Sequence, residues 1–284
     1  MRQMREHSFN SLGPGGFHRV HYYEWGDPQN PRVVLCVHGL TRNGRDFDLL
    51  AGNLSDRFRV ICPDVIGRGN SGWLSDKEHY GYPQYCADMA ALIARSGAQS
   101  VDWVGTSMGG IIGMLMASHA GTPVRRLVIN DVGAFIPKAA LERIKAYVGK
   151  HVTFDSFDEA ETYVRFVSAG FGPLTDDQWR HLTETSVIAD DNGHYVLKYD
   201  PSLSHAFSGP ISDVDLWHVW ESLSCPTLLI RGGESDLLLA QTVEEMMRRG
   251  PRTRVIEFPG VGHAPMLMSD DQIRPVREFL LAED

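Results

Sequence analysis

The sequence predicts an α/β protein, a mostly parallel sheet covered on both faces by helices. Runs such as Val33-Val34-Leu35-Cys36-Val37 are continuously apolar, as strands buried on both faces should be. They alternate with stretches of helical periodicity, the rhythm of strands joined by crossover helices. Gly-bearing turns directly follow two of them, at Gly105-Thr106-Ser107-Met108-Gly109 and in the loop 63–72. The 284 residues suit one large domain of this kind or two small ones.

The elements follow in order. Arg19-Val20-His21-Tyr22-Tyr23-Glu24-Trp25 alternates and reads as an early, partly exposed strand. Gly26-Asp27-Pro28 turns the chain into the run 33–37, and residues 47–54 form a short helix. Arg59-Val60-Ile61-Cys62 is the next strand. Tyr82, Cys86, Met89, Ala90 and Ile93 recur at helical spacing, and Gly97 is placed to end that helix. Val101-Asp102-Trp103-Val104 is a buried strand, and Gly110-Ile111-Ile112-Gly113-Met114-Leu115-Met116 is a helix. Leu127-Val128-Ile129, Thr227-Leu228-Leu229-Ile230 and Val255-Ile256-Glu257-Phe258 complete the strands. A closing helix is expected to start at Pro275, since proline suits a first helical turn.

Residues 135–211 break the rhythm, with helices and no convincing buried strand. Ala140, Leu141, Ile144, Tyr147 and Val148 form one apolar stripe. Phe157, Ala160, Tyr163, Val164 and Val167 form a second, behind the capping box Ser156-Phe157-Asp158-Glu159. Thr175-Asp176-Asp177-Gln178 caps a third helix carrying Trp179 and Leu182, and Asp190-Asp191-Asn192-Gly193 is a turn. The expected organisation is a core of residues 1–134 and 212–284, with a helical cap of residues 135–211 inserted between two strands.

Composition excludes several function classes. The net charge of −9 and the lack of a Lys/Arg-rich run disfavour nucleic acid as a partner. No window approaches the roughly 18 apolar residues of a membrane span. Met1-Arg2-Gln3-Met4-Arg5-Glu6-His7-Ser8 lacks the apolar core of a signal peptide. Cys36, Cys62, Cys86 and Cys225 show no C-x-x-C spacing and read as buried free thiols. These features point to the cytoplasm. No H-E-x-x-H and no Cys/His cluster suggests a metal site. Gly67-Arg68-Gly69 lacks the spacing and the Lys-Ser/Thr of a phosphate loop, so it reads as a structural turn and no cofactor is expected.

The chemistry centres on Ser107. Strand, tight turn with Ser at its tip, and helix form the context that a G-x-S-x-G nucleophile elbow requires. Such a turn is strained, and a Cβ at Gly105 or Gly109 would collide with a neighbouring strand or helix. A serine hydroxyl needs an adjacent base. The candidate is His263, in Gly260-Val261-Gly262-His263 after the last strand, because loops beyond the carboxyl ends of parallel strands carry the sites of α/β sheets. The base needs an acid to fix its tautomer. Asp236, after the strand 227–230, is the expected acid; Glu234 and Asp131 are its rivals. A tetrahedral intermediate needs two aimed N–H donors. The expected ones are the amides of Met108, at a helix N-terminus, and Leu40, in His38-Gly39-Leu40-Thr41. His38 is expected to prop its loop. Arg42 has a surface reading and a sharper one, in which it holds a substrate carboxylate bidentately. Phe135, Trp179, Tyr199, His205 and Phe207 are candidate pocket residues at the start of the insertion or within it.

With these pieces assembled, the chain resembles the α/β-hydrolase superfamily, specifically its cap-bearing members. The resemblance runs through His38-Gly39, Asp64-Val65-Ile66-Gly67-Arg68-Gly69-Asn70-Ser71, Gly105-Thr106-Ser107-Met108-Gly109-Gly110, residues 232–236 and Gly262-His263. It implies an eight-stranded type of sheet, Ser107, Asp236 and His263 as the triad, and Leu40 and Met108 as oxyanion donors. Epoxide hydrolases and haloalkane dehalogenases of this fold use an Asp nucleophile, whereas Ser107 stands here. Carbon–carbon bond hydrolases share a similar Ser-Met-Gly-Gly elbow but usually carry a Trp shortly after the catalytic His, where Ala264-Pro265-Met266 follows here. Proline iminopeptidases usually have Trp at the place of Met108. Small esterases and lactonases fit throughout. The expectation is a cofactor-independent serine hydrolase cleaving a small carboxylic ester, thioester or lactone through an acyl-enzyme. A carbon–carbon bond hydrolase acting on a vinylogous diketone, or a non-catalytic receptor of this fold, is the alternative.

Overall fold

The central sheet grows from the continuous apolar runs. In the computed structural model, residues 4–282 are described; Met1, Arg2 and Gln3 of the amino-terminal octapeptide lie outside them. The chain begins with β1 (Arg5–Gly13), β2 (Gly16–Trp25), β3 (Val33–Val37), α1 (Asp48–Leu54), β4 (Arg59–Asp64) and α2 (Tyr82–Ser96). It continues with β5 (Val101–Thr106), α3 (Met108–Ser118) and β6 (Val124–Asn130). After β6 come β7 (Phe135–Ile136), α4 (Lys138–Lys145), β8 (Thr153–Phe154), α5 (Phe157–Val167), α6 (Asp176–Ser186), β9 (Val187–Ala189), β10 (Tyr195–Leu197) and β11 (Val214–Asp215). The chain closes with α7 (Trp217–Glu221), β12 (Thr227–Gly232), α8 (Ala240–Arg248), β13 (Thr253–Phe258) and α9 (Asp270–Leu281).

Eight strands form the main sheet in the order β1-β2-β4-β3-β5-β6-β12-β13. The β1/β2 and β2/β4 pairs are antiparallel and the rest are parallel. Each central strand feeds two cores. In β3, Val33, Leu35 and Val37 face one cluster with α2 and α3, while Val34 and Cys36 face another with α1 and α9. That is why the run carries no polar alternation. Each such fully buried aliphatic side chain contributes about 2 kcal/mol of transfer free energy.

Three features differ from the sequence expectation. β2 is more buried than expected, because β1 covers its outer edge; β1 itself alternates between half-buried and exposed residues and left no clear apolar signal. The closing helix starts at Asp270, so Pro275 lies inside it rather than in its first turn. Gln272 explains the early start, since its side-chain oxygen accepts the Leu267 N–H at 2.8 Å. The acidic pair Asp270 and Asp271 also suits the positive end of the helix dipole. The segment between β6 and β12 is not helical alone, because β8, β10 and β9 pair as a small antiparallel sheet. Strands of two or three residues are too short to show period-two patterning.

That segment leaves and rejoins the main sheet through one ribbon, with Phe135 opposite Asp215 and Ile136 opposite Val214. Thr175 and Gln178 cap α6 reciprocally, as a full capping box. At α5 the box is shifted: Ser156 Oγ accepts from the Glu159 N–H, but the Glu159 carboxylate accepts from Asp155 N–H. The four cysteines are unbridged. Among the described residues no helix is long and apolar enough to cross a membrane.

Candidate active site

The turn between β5 and α3 holds Ser107 in an unusual backbone conformation, φ 51° and ψ −115°. Its N–H donates to the Asn130 carbonyl at 2.9 Å, and its own carbonyl accepts from Gly110 and Ile111. The flanking glycines are sterically required. A Cβ on Gly105 would stand 2.2 Å from the Gly109 carbonyl oxygen, and one on Gly109 would stand 1.9 Å from that of Val37. The turn therefore projects the serine side chain beyond the carboxyl ends of the strands.

Three side chains from three loops form one hydrogen-bonded line there. Ser107 Oγ donates to His263 Nε2 at 2.9 Å. His263 Nδ1 donates to Asp131 Oδ2 at 2.7 Å. Asp131 is fully buried, with φ at 58°. Its carboxylate also accepts the Gly232 N–H at 2.7 Å and the Ser235 hydroxyl at 2.6 Å. Three donors thus fix its orientation without a cationic side chain.

The acid is the main correction to the sequence reading. Asp236 does not reach the imidazole. Its carboxylate is half exposed and is gripped by Arg143 of α4, at 2.5 and 2.9 Å. β6 and β12 are neighbours in the sheet, so an aspartate after either one arrives at the same end. The donors of the β12 loop, Gly232 and Ser235, converge on the aspartate that follows β6 instead. Glu234 is not among the hydrogen-bond partners of His263 either; its N–H donates to the Val261 carbonyl.

Leu40 and Met108 both border the serine. Met108 opens α3, where the helical ladder leaves its N–H without an acceptor inside the helix. Gly39 brings the other loop close, as its Cβ would lie only 3.7 Å from Ser107 Cβ. Arg68, fully buried, supports both positions. Its Nε donates to the Leu40 carbonyl at 2.8 Å, and its guanidinium also meets the Ile66 carbonyl, the Tyr85 hydroxyl and Met108 Sδ. His38 props the same loop. It accepts the Val65 N–H at Nε2 (2.9 Å), so the proton sits on Nδ1 and bonds the Gly39 carbonyl (2.7 Å). Burial pulls the His38 pKa down to about 4, so this imidazole is neutral at pH 7.

Two cavities meet at Ser107. A small one of about 100 Å³ is bordered by Thr41, Arg143, Tyr147, Tyr163 and His263. A larger one of about 540 Å³ is mostly apolar and is bordered by Met108, Ile111, Leu141, Leu203 and Phe207. Of the candidate pocket residues, Arg42 and Tyr199 border the small cavity and Phe207 the large one. Arg42 is not a free carboxylate fork, however. Its Nε and Nη2 are spent on Asp46, and Nη1 donates to Ser186. Three other candidates lie elsewhere. Trp179 stacks on Phe171 in a side core, His205 faces Glu78 at the surface, and Phe135 belongs to the ribbon at the base of the insertion. The sequence reading missed Arg143, Tyr147 and Tyr163 as site residues, having placed the two tyrosines in apolar stripes.

Comparison with known proteins agrees with this architecture. A family model described as "Alpha/beta hydrolase family" matches residues 34–276. The chain is 47% identical, over 94% of its length and 94% of the relative's, to a 3-hydroxybutyrate-oligomer hydrolase of Cupriavidus necator. It is 28% identical, over 81% of each chain, to a 2-(acetamidomethylene)succinate hydrolase of Mesorhizobium japonicum. A solved alpha/beta hydrolase from Novosphingobium aromaticivorans superposes with a TM-score of 0.88 at 34% identity, covering 99% of both chains.

Proposed function

Since the chain belongs to the alpha/beta hydrolase family, we propose that it is a serine hydrolase of carboxylic esters, with short oligomers of 3-hydroxybutyrate as its substrate class. The observation that carries the chemistry is the line Ser107–His263–Asp131. Ser107 Oγ attacks the ester carbonyl while His263 takes its proton. Asp131 stabilises the imidazolium that forms. The N–H groups of Leu40 and Met108 receive the developing oxyanion. The alcohol leaves with the proton from His263, and a water activated by the same imidazole releases the acid. The residue set calls for no cofactor.

The substrate class rests on the 47% identical relative, whose substrate units are joined by carboxylic esters. Cavities on both sides of Ser107 suit a chain that continues past the scissile bond in both directions. The segment 135–211 supplies walls to both cavities, and in this reading it works as a lid that excludes water and sizes the substrate. The same relative supports reading ester cleavage ahead of carbon–carbon bond cleavage and of a receptor role.

The test is hydrolysis of p-nitrophenyl butyrate and of a 3-hydroxybutyrate dimer by the wild type and by Ser107→Ala. Wild-type turnover should fall about a thousandfold or more in the variant, and a fluorophosphonate should label the wild type at Ser107 alone. Substantial turnover by the variant would defeat the mechanism. Inertness of the wild type toward the dimer, with p-nitrophenyl butyrate cleaved, would defeat the substrate class.

A further inference from the structure

The two cavities differ in chemistry, and the imidazole lies on only one side. His263 and Ala264 border the small cavity, the more polar of two mainly apolar ones, and not the large one; Met108 borders the large one and not the small. The leaving oxygen must reach His263 Nε2 to be protonated. The alcohol half of the ester therefore occupies the small cavity, and the acyl half extends into the apolar one.

Two cations border the small cavity, Arg42 and Arg143. Arg42 is saturated: its ion pair with Asp46 is largely buried and a third bond goes to Ser186. Arg143 differs. Among the described residues its carboxylate partner is Asp236 alone, and the two side chains are 42% and 50% exposed, open to water and to exchange. The pair is bidentate, but solvent reaches and screens both partners, so another carboxylate can take the place of Asp236. Tyr147 borders the same cavity and adds a second polar group. A planar fork on the wall of the cavity that Ser107 also borders, paired with a half-exposed carboxylate, suits an incoming carboxylate.

Resting on the ester-hydrolase reading, we infer that Arg143 seats the free terminal carboxylate of the substrate, and that the enzyme shortens oligoesters one unit at a time from the carboxylate end. In a hydroxyacid oligoester the last ester joins the growing chain, as acyl group, to a terminal unit, as alcohol. That terminal unit carries the free carboxylate. With it in the small cavity, its carboxylate displaces Asp236 from Arg143. Ser107 Oγ then bonds the carbonyl carbon of the last ester, the C–O bond breaks, and the alkoxide takes the proton from His263. One hydroxyacid departs. Water cleaves the acyl-enzyme, giving an oligomer shorter by one unit, whose new carboxylate releases its proton to solvent. The size difference agrees with this, since about 100 Å³ beside about 540 Å³ separates a short terminal seat from a channel for the remaining chain.

The experiment uses 3-hydroxybutyrate trimer, isotopically labelled in its carboxyl-terminal unit, as the free acid and as its terminal methyl ester. The labelled monomer should appear first. The wild type should prefer the free acid by about thirtyfold in kcat/KM, and Arg143→Gln should collapse that ratio toward one. Arg143→Lys, which keeps the charge without the fork, should fall between. Equal rates on the two trimers, an unlabelled monomer as first product, or an Arg143→Gln ratio like that of the wild type would overturn the inference. Those outcomes leave Ser107-dependent turnover of p-nitrophenyl butyrate intact; loss of that turnover in the wild type would strike the underlying hydrolase reading instead.

Discussion

The guanidinium of Arg68 bonds the carbonyl of Leu40 at 2.8 Å from a fully buried position behind the loop 38–41. It has no carboxylate among its hydrogen-bond partners; carbonyls, a phenol and the Met108 sulfur absorb its donors. Buried cations are costly unless they are satisfied in this way. Arg68 thus ties the two loops that carry the proposed oxyanion donors. Arg68→Met, similar in length, should lower kcat for p-nitrophenyl butyrate by about ten- to a hundredfold with a smaller change in KM. Arg68→Lys should recover part of the loss. A fall confined to thermal stability would assign Arg68 to packing alone.

The two aspartates should separate cleanly. Asp131→Asn removes the anion beside His263 Nδ1 and should lower kcat by roughly 10⁴-fold. Asp236→Asn breaks only the exposed pair with Arg143 and should leave p-nitrophenyl butyrate turnover within about threefold. The reverse ranking would restore the sequence-based assignment.

His38 makes stability depend on pH. Its folded pKa of about 4 lies below the ordinary 6.5, so the unfolded chain binds the proton more readily. Stability from this group is complete above pH 6.5 and declines as pH falls toward 4. Between pH 6.5 and about 5 the loss should be about 1.5 kcal/mol. Urea unfolding at both pH values measures it, and His38→Gln should flatten that part of the dependence. An unchanged slope in the variant would mean that other groups carry it.

Gly109→Ala should be severely destabilising, by several kcal/mol, because the new methyl meets backbone at 1.9 Å. The measurement is the melting temperature and soluble yield beside Gly52→Ala, where the added methyl meets open space. Similar values for both would contradict the close packing of α3 on β3.

The strands and the serine turn were legible because their signals are local. Continuous apolar runs need burial on both faces, and glycines at 105 and 109 fit one steep turn. His263 was legible from its place after the last strand. The acid was not, because β6 and β12 end side by side and sequence spacing does not say which loop turns its carboxylate inward. That choice depends on where Gly232 N–H and Ser235 Oγ point. The engagement of Arg42 was readable in principle, since Asp46 stands four residues later, a spacing that favours pairing. The polar role of Tyr147 and Tyr163 was hidden because an amphipathic stripe does not separate core-facing tyrosines from cavity-facing ones. β1 and the small sheet in the insertion were too polar or too short to register.

The ribbon of Phe135–Ile136 against Val214–Asp215 means that the intervening chain departs and returns at a single doorway. A module anchored like this can be traded for another of different length without re-threading the sheet beneath it. Selection can thus remodel what enters while leaving Ser107, His263 and Asp131, all of which lie outside those bounds, undisturbed.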